Sequence, residues 1–171
     1  MNPILEYEKK LYFRSKKEYF ISWITHEDNY LIWKYITYLR REEGASNKLT
    51  EYFWRRKKND LGAKLGFVTY AGCCGKGLRI WHWGSVIISG DAKIGENCTF
   101  HGQACIGSDG RSERAPVIGN NVDIGVGARI IGDVTIADDV RIGANAVVTK
   151  SCYEPGATLV GCPAQILRKK A

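Results

Sequence analysis

Three histidines, His26, His82 and His101, are the side chains best suited to moving a proton at neutral pH. Free imidazole titrates at about pH 6.5, so it can take a proton from a hydroxyl group under physiological conditions. His82 and His101 lie 19 residues apart in the chain. Three six-residue repeats would occupy roughly 18 residues, so both histidines are expected on nearly the same face, one coil apart. His82 is the first candidate for a catalytic base, and His101 is either catalytic or part of the same cleft.

The elements that must position these histidines follow from a six-residue repeat. Aliphatic or aromatic anchors recur at every sixth position, with one gap at Ser112: Ile88, Ile94, Phe100, Ile106, Ile118, Ile124, Ile130, Ile136, Ile142 and Val148. Small or β-branched residues stand four places after most anchors: Ala92, Cys98, Ala104, Val122, Ala128, Val134, Val140 and Ala146. Such a unit suits one short strand and one corner, so three units close a coil and coils stack through parallel strands. The repeat predicts a parallel β-helix, whereas a sandwich would show period-two alternation.

The chain divides by composition into residues 1–61, a short N-terminal helical region, and residues 62–171, the repeat domain. Aromatic residues spaced by seven favour a helix within residues 3–20. Residues 107–117 are polar, contain glycine and interrupt the anchors, so they are predicted to protrude as a loop. Insertions in repeat proteins often collect on one working face, which makes this loop a functional candidate.

Two further helices are predicted in the N-terminal region. Thr25 and Asp28 resemble a capping box before an amphipathic helix that ends at Gly44. The next helix begins at Ser46 or Asn47 and ends near Gly62. Their aromatic residues are expected to pack the helices together and against the first coil.

Composition narrows the class of protein. The 171 residues carry a net charge of +7, and no nucleic-acid motif accompanies the basic residues. No apolar run is long enough to span a membrane, and the start of the chain lacks a secretory signal, so a cytoplasmic protein is expected. Disulfides are not expected among the six cysteines, because no export is expected. No metal site is expected either, since the cysteines form no C-x-x-C pair and no Cys/His spacing suits one.

The repeat domain resembles a known family. The segments IGANAVVTK and PGATLVGCPAQIL are similar to those of hexapeptide-repeat acyltransferases. GKGLRIWHWGSVIIS, IGENCTFHGQACIG and ERAPVIGNNVDIGVGARIIGDVTI resemble the serine acetyltransferase group, and the likeness covers roughly residues 62–170. The resemblance implies a left-handed β-helix, acetyl-CoA as co-substrate, and a homotrimer with active sites between adjacent subunits. Two such trimers could join through the N-terminal helices.

The resemblance also implies roles for individual residues. His82 matches the family's catalytic base, which takes the proton of an acceptor hydroxyl as its oxygen attacks the acetyl thioester. Val126 and Ala144 would offer backbone groups to the pantetheine arm of acetyl-CoA. The positions expected near its phosphates and adenine are Thr149, Lys150 and Arg168.

Departures from the family pattern bear on the acceptor. Trp81 replaces the Asp before the catalytic His, Ala115 replaces a second His, and Phe67 replaces the Asp that orients the base, while Arg114 is retained. A free amino acid would leave its charges poorly paired in such a site. Trp81 and Trp83 flank His82 with flat aromatic faces, and with Arg114 they form the expected acceptor-binding set. We therefore expect a sugar or surface-polysaccharide precursor, as in members associated with capsule or exopolysaccharide O-acetylation.

Three alternatives stay open. The first is a serine O-acetyltransferase of cysteine biosynthesis, and the second is a non-catalytic β-helix scaffold, which would not need to bind acetyl-CoA. A zinc enzyme on the same fold would need three histidine ligands, which His82 and His101 alone do not supply. Candidates for orienting His82 are Asp91, Glu113 or a backbone carbonyl.

Overall fold

The computed structural model describes residues 3–111 and 114–168. Four helices come first: α1 (Pro3–Tyr12), α2 (Lys16–Thr25), α3 (Asp28–Glu43) and α4 (Lys48–Leu65). Fourteen short strands follow: β1 (Phe67–Val68), β2 (Arg79–Ile80), β3 (Val86–Ile88), β4 (Lys93–Ile94), β5 (Thr99–Phe100), β6 (Cys105–Gly107), β7 (Val117–Ile118), β8 (Asp123–Ile124), β9 (Arg129–Ile131), β10 (Thr135–Ile136), β11 (Arg141–Ile142), β12 (Val147–Val148), β13 (Thr158–Val160) and β14 (Gln165–Ile166). None of the helices in the described residues has the length and apolarity needed to cross a membrane.

The strands form three sheets that the chain visits in turn. Sheet A has the order β1-β3-β6-β9-β12, sheet B β10-β7-β4, and sheet C β14-β13-β11-β8-β5-β2. From β2 to β12 successive strands pass from sheet C to A to B and back to C. All pairs are parallel except β13 with β14. This arrangement is the parallel β-helix that the repeat predicts.

The register between coils shows where the repeat is regular. Asp123 pairs with Arg141, which lies 18 residues later in the chain. Arg129 with Val147 and Val117 with Thr135 are separated by the same 18 residues. Lys93 pairs with Val117, a step of 24, because the loop between β6 and β7 adds six residues. Ser112 and Glu113 of that loop, the gap in the anchors and one candidate for orienting His82, lie outside the described residues.

The core follows the six-residue pattern. All ten anchors and all eight residues four places after them are buried. Corner residues such as Asn97, Asn121 and Asn145 adopt positive φ between 56° and 57°, a conformation that asparagine tolerates better than most residues. The predicted core of the repeat is therefore confirmed.

The helices differ from their predicted bounds. The N-terminal pattern is broken into α1 and α2, because Ser15 takes an extended conformation and its side chain accepts from the Glu18 N–H. Thr25 ends α2 and does not cap α3; its hydroxyl donates to the Ile21 carbonyl, so the predicted capping box is wrong. Gly44 does end α3, and Asn47 caps α4 by accepting from the Thr50 N–H. Helix α4 continues past Gly62 to Leu65.

Candidate active site

The predicted catalytic and pantetheine-binding residues lie along one edge of the β-helix. We call it the C–A edge, because its corners lead from sheet C to sheet A: residues 81–85, 101–104, 125–128 and 143–146. These corners hold, in order, His82, His101, Val126 and Ala144. The stacking of coils thus brings together four residues that span more than 60 positions of sequence (144 − 82 = 62).

His82 and His101 lie one coil apart on the same edge, as their spacing predicts, but they are not directly opposite each other. Ile80 pairs with Phe100, a step of 20, so Trp81 lies opposite His101 and His82 lies one position further along. The Trp81 N–H donates to the Phe100 carbonyl at 2.9 Å. The cause is the first corner, which holds two more residues between its inward anchors, Ile80 and Ile88, than the corner above it.

His101 has the most developed surroundings on this edge. Its Nε2 lies 2.7 Å from Oδ1 of Asp123, an outward residue of β8 in the next coil. Its ring stacks on Trp81, with ring centroids 6.1 Å apart and planes 17° from parallel. The guanidinium of Arg79 lies 3.6 Å from the centre of the Trp81 ring. A layered group of Arg79, Trp81, His101 and Asp123 therefore runs across three coils.

Asp123 is a residue that sequence reasoning missed. It lies 22 positions after His101, and no repeat of 18 residues relates the two. The insertion in the loop after β6 shifts the register to 24, which pairs Thr99 with Asp123. The sequence does show an acidic residue directly before the inward anchor Ile124, where a side chain points outward. Only the register between coils shows that this residue meets His101.

His82 is exposed and lies at a cavity between the β-helix and the N-terminal helices. The cavity has a volume of about 400 Å³ and is lined by His82, Trp81, Glu27, Asp28 and Asn29. In residues 3–111 and 114–168 no side chain forms a hydrogen bond with the His82 ring, and this includes the candidate Asp91. The junction of α2 and α3 therefore brings polar groups to the predicted catalytic histidine.

Phe67 and Ala115 occupy apolar surroundings. Phe67 is buried at the start of β1, and its ring meets Tyr35 edge-on at 5.2 Å. Ala115 is buried beside β7. Both residues are part of the hydrophobic core, so at these two positions the chain has an apolar core residue where the resemblance leads us to expect a polar side chain.

The predicted cofactor positions are only partly brought together. Val126 and Ala144 are exposed, and among the described backbone groups neither N–H has a partner, although the Val126 carbonyl accepts from Asn145 at 2.8 Å. Two free N–H groups on adjacent coils suit the amide carbonyls of a pantetheine arm. Thr149 and Lys150 follow β12 and lie on a different edge, between sheets A and B.

The acceptor set is divided in the same way. Trp81 and Trp83 lie on the C–A edge and are 39% and 48% exposed. Arg114 lies on the A–B edge, where it pairs with Asp133 at 3.2 Å. Arg168 lies beyond β14 and makes two hydrogen bonds of 2.9 Å to Glu154. One chain alone therefore does not unite the predicted residues.

Comparisons with known proteins agree with the fold and identify relatives. Residues 115–150 match the family described as bacterial transferase hexapeptide (six repeats). The serine acetyltransferase of Helicobacter pylori (strain J99) is 36% identical over 129 residues, which cover 73% of this chain and 75% of that protein. The soybean serine acetyltransferase apoenzyme has a TM-score of 0.78 at 23% identity, over 97% of this chain and 70% of that one, and so supports the fold alone. The serine acetyltransferase of Brucella abortus in complex with coenzyme A has a TM-score of 0.67 at 26% identity, over 77% of this chain and 54% of that one.

Proposed function

The chain belongs to the serine acetyltransferase family of hexapeptide transferases, and we propose that it moves the acetyl group of acetyl-CoA to the hydroxyl group of L-serine. Its enzyme class is acetyl-CoA-dependent O-acetyltransferase, with acetyl-CoA as co-substrate. The observation that carries the choice of serine is the Helicobacter pylori relative, which is matched over three quarters of its length.

The expectation of a sugar or polysaccharide acceptor finds no support among these relatives, all of which are serine acetyltransferases. The contacts of Trp81 give a physical reason for the correction. Its ring already meets the Arg79 guanidinium and the His101 ring, so much of its surface is not available to a sugar. The cavity beside His82 is also lined by two acidic residues, Glu27 and Asp28, and negative charge there suits an acceptor with an ammonium group better than a neutral sugar.

In the proposed reaction His82 takes the proton of the serine hydroxyl as the oxygen attacks the thioester carbonyl. Much of the rate would come from holding both substrates in contact. The free N–H groups of Val126 and Ala144 support binding of the pantetheine arm along the C–A edge. Thr149, Lys150 and Arg168 would meet the phosphates and adenine of a molecule bound between two copies of the chain.

We further propose that the β-helix is left-handed and that three copies assemble with their sites between subunits. The division of the predicted residues between the C–A and A–B edges supports this assembly, because a neighbouring copy can supply the second edge. Trp83 and Arg114 would then contact the acceptor from two different subunits.

Thiol release from acetyl-CoA tests the function directly. Parallel reactions would contain L-serine, ethanolamine, 3-hydroxypropanoate, and a panel of sugars and nucleotide-sugars. We expect fast release with L-serine and slow release with the two analogues, each of which lacks one charged group. Thiol release with a sugar but not with L-serine would overturn the choice of serine. Tight binding of acetyl-CoA with no thiol release from any acceptor would contradict the proposed acetyl transfer, although a scaffold would not need such binding.

A further inference from the structure

We propose that His101, paired with Asp123, is a second catalytic residue that donates a hydrogen bond to the thioester oxygen as negative charge develops there. The proposal rests on the acetyl transfer proposed above and adds a chemical role for a residue pair. It fills a need that the reaction imposes, since attack on a thioester places charge on the carbonyl oxygen and a placed donor must stabilise it.

The location of His101 supports this role. Its backbone N–H donates to the Ile124 carbonyl at 2.9 Å, and the Gly127 N–H donates to the Gly102 carbonyl at 3.1 Å. These two bonds bracket Val126, so the corner of His101 lies directly against the first predicted pantetheine position. On its other side is the corner that carries His82.

The order along the edge therefore runs from acceptor to cofactor. His82 adjoins the cavity on the first coil, His101 is on the second, and Val126 and Ala144 are on the third and fourth. Adjacent coils are about 4.8 Å apart, as neighbouring strands are. If the hydroxyl is held at His82 and the pantetheine arm at Val126 and Ala144, the thioester between them lies beside His101.

The Asp123 carboxylate prepares His101 to act as a donor. The carboxylate lies 2.7 Å from Nε2 and so fixes the orientation of the ring. With a hydrogen on each ring nitrogen, Nε2–H is directed to Asp123 and Nδ1–H remains for the substrate. Both side chains are partly exposed, 41% and 47%, which leaves room for a ligand beside them.

Other charged groups near the pair are few and mostly cationic. Arg79 lies behind Trp81 on the coil below, with Arg14 of the N-terminal region close to it. Arg141 is in register with Asp123 on the coil above. Among the described residues, Asp123 is therefore the anionic side chain in contact with the His101 ring.

The chemistry balances with His82 as the only proton carrier. The serine oxygen forms a bond to the thioester carbon and its proton passes to His82. The carbon–sulfur bond then breaks, and the CoA thiolate receives that proton. His101 keeps its own proton throughout and contributes only a hydrogen bond that is strongest in the transition state.

Kinetics of three variants test the proposal with the acceptor that the wild-type enzyme uses. We expect His101→Ala to lower kcat by about 100-fold with little change in KM, as removal of one oxyanion donor does. His101→Gln keeps a neutral donor, so its loss should be smaller. Asp123→Asn should also lower kcat with little change in KM, because the ring loses the carboxylate that orients it. Thr99→Val, beside Asp123 in the sheet, is the control and should behave as wild type.

A second measurement does not depend on turnover. Nitrogen-15 NMR of the His101 ring, with coenzyme A bound, should show a hydrogen on both ring nitrogens, since that form can contact Asp123 and still donate from Nδ1. An Nδ1 without a hydrogen would overturn the proposal, and so would wild-type kcat in His101→Ala. Failure of L-serine as acceptor would affect the proposed function alone, since both measurements can be made without it.

Discussion

At the residue scale, His82 and His101 differ in what holds them. His101 is held by a carboxylate and an aromatic ring, whereas His82 lies at a cavity whose polar residues form no hydrogen bond with its ring in the described part of the chain. Phe67 stands where the resemblance expects an orienting Asp, and it belongs to the core. None of the described residues forms a hydrogen bond with the His82 ring, and a substrate bound in the cavity beside it would be placed to do so.

Replacing His82 tests its role as the base. We expect His82→Ala to lower kcat by about 10²–10⁴, the usual effect of losing a general base, while the affinity for acetyl-CoA stays the same. Steady-state thiol release and isothermal titration with acetyl-CoA measure the two quantities. His26→Asn is a suitable control, since His26 ends α2 with φ of 54°, a conformation that asparagine tolerates. Undiminished kcat in His82→Ala would contradict the assignment.

Sequence alone gave part of this arrangement but not the exact neighbours of each residue. The period of six predicted that His82 and His101 lie one coil apart on nearly the same face, while Val126 and Ala144 were singled out by the resemblance and not by the period. It did not predict that His101 lies opposite Trp81 or that Asp123 meets it. Those contacts depend on two local changes in register, an enlarged first corner and an inserted loop, whose lengths do not follow from the repeat.

At the element scale, a buried ion pair connects the N-terminal helices to the first coil of the β-helix. Glu8 of α1 and Arg40 of α3 are almost fully buried and form an ion pair at 2.7 Å. Glu8 also accepts from the N–H groups of Gly77 and Leu78, and Arg40 donates to the carbonyls of Cys74 and Gly75. Burial alone would lower the pKa of Arg40, but the hydrogen bonds and charge of Glu8 raise it overall. The pair thus provides hydrogen-bond partners for backbone groups of residues 74–78, the irregular segment that precedes β2.

Removing one partner of this pair should destabilise the protein strongly. We expect Arg40→Met to lower the free energy of unfolding by about 3–5 kcal/mol, because the buried Glu8 carboxylate would lose its opposite charge and two carbonyls would lose the donor that Arg40 provides. Urea denaturation followed by circular dichroism measures the change. Arg56→Met is the matched control. Arg56 is 85% exposed and its ion pair with Asp60 is long, at 3.9 Å, so this variant should change stability little. Equal stability of the two variants would contradict the role given to the buried pair.

Helix bounds were harder to predict than strands for a physical reason. Every strand of the β-helix has the same requirement, an inward apolar anchor at each sixth position, so one sequence pattern predicts many strands. The break between α1 and α2 depends on a single cap at Ser15 and on the packing of Phe13 against Tyr19 at 5.1 Å. Spacing by seven is the same in one long helix and in two short ones, so it could not show the break.

At the scale of the whole molecule, the three faces of the β-helix differ. The outward residues of sheet A are mainly apolar: Val68, Ile87, Cys105, Gly107, Arg129, Ile131 and Val147. Those of sheet C are mainly polar or charged: Arg79, Thr99, Asp123, Arg141, Thr158, Val160 and Gln165. Sheet A lies between the C–A edge and the A–B edge, which together hold most of the predicted site. An assembly that packs sheet A faces around a common axis would cover the apolar face and bring the two edges of adjacent copies together.

Subunit complementation tests whether the site is shared in this way. His82 is on the C–A edge and Arg114 on the A–B edge, so His82→Ala and Arg114→Ala should each impair every site of their own trimer. In a ring of three that mixes the two variants, one of the three interfaces combines an intact His82 with an intact Arg114, so about one third of wild-type activity should return. Co-expression with two different tags and purification over both isolates such mixtures, and light scattering gives their mass. Mixed assemblies no more active than their parents, or a monomeric mass, would show that each chain works alone.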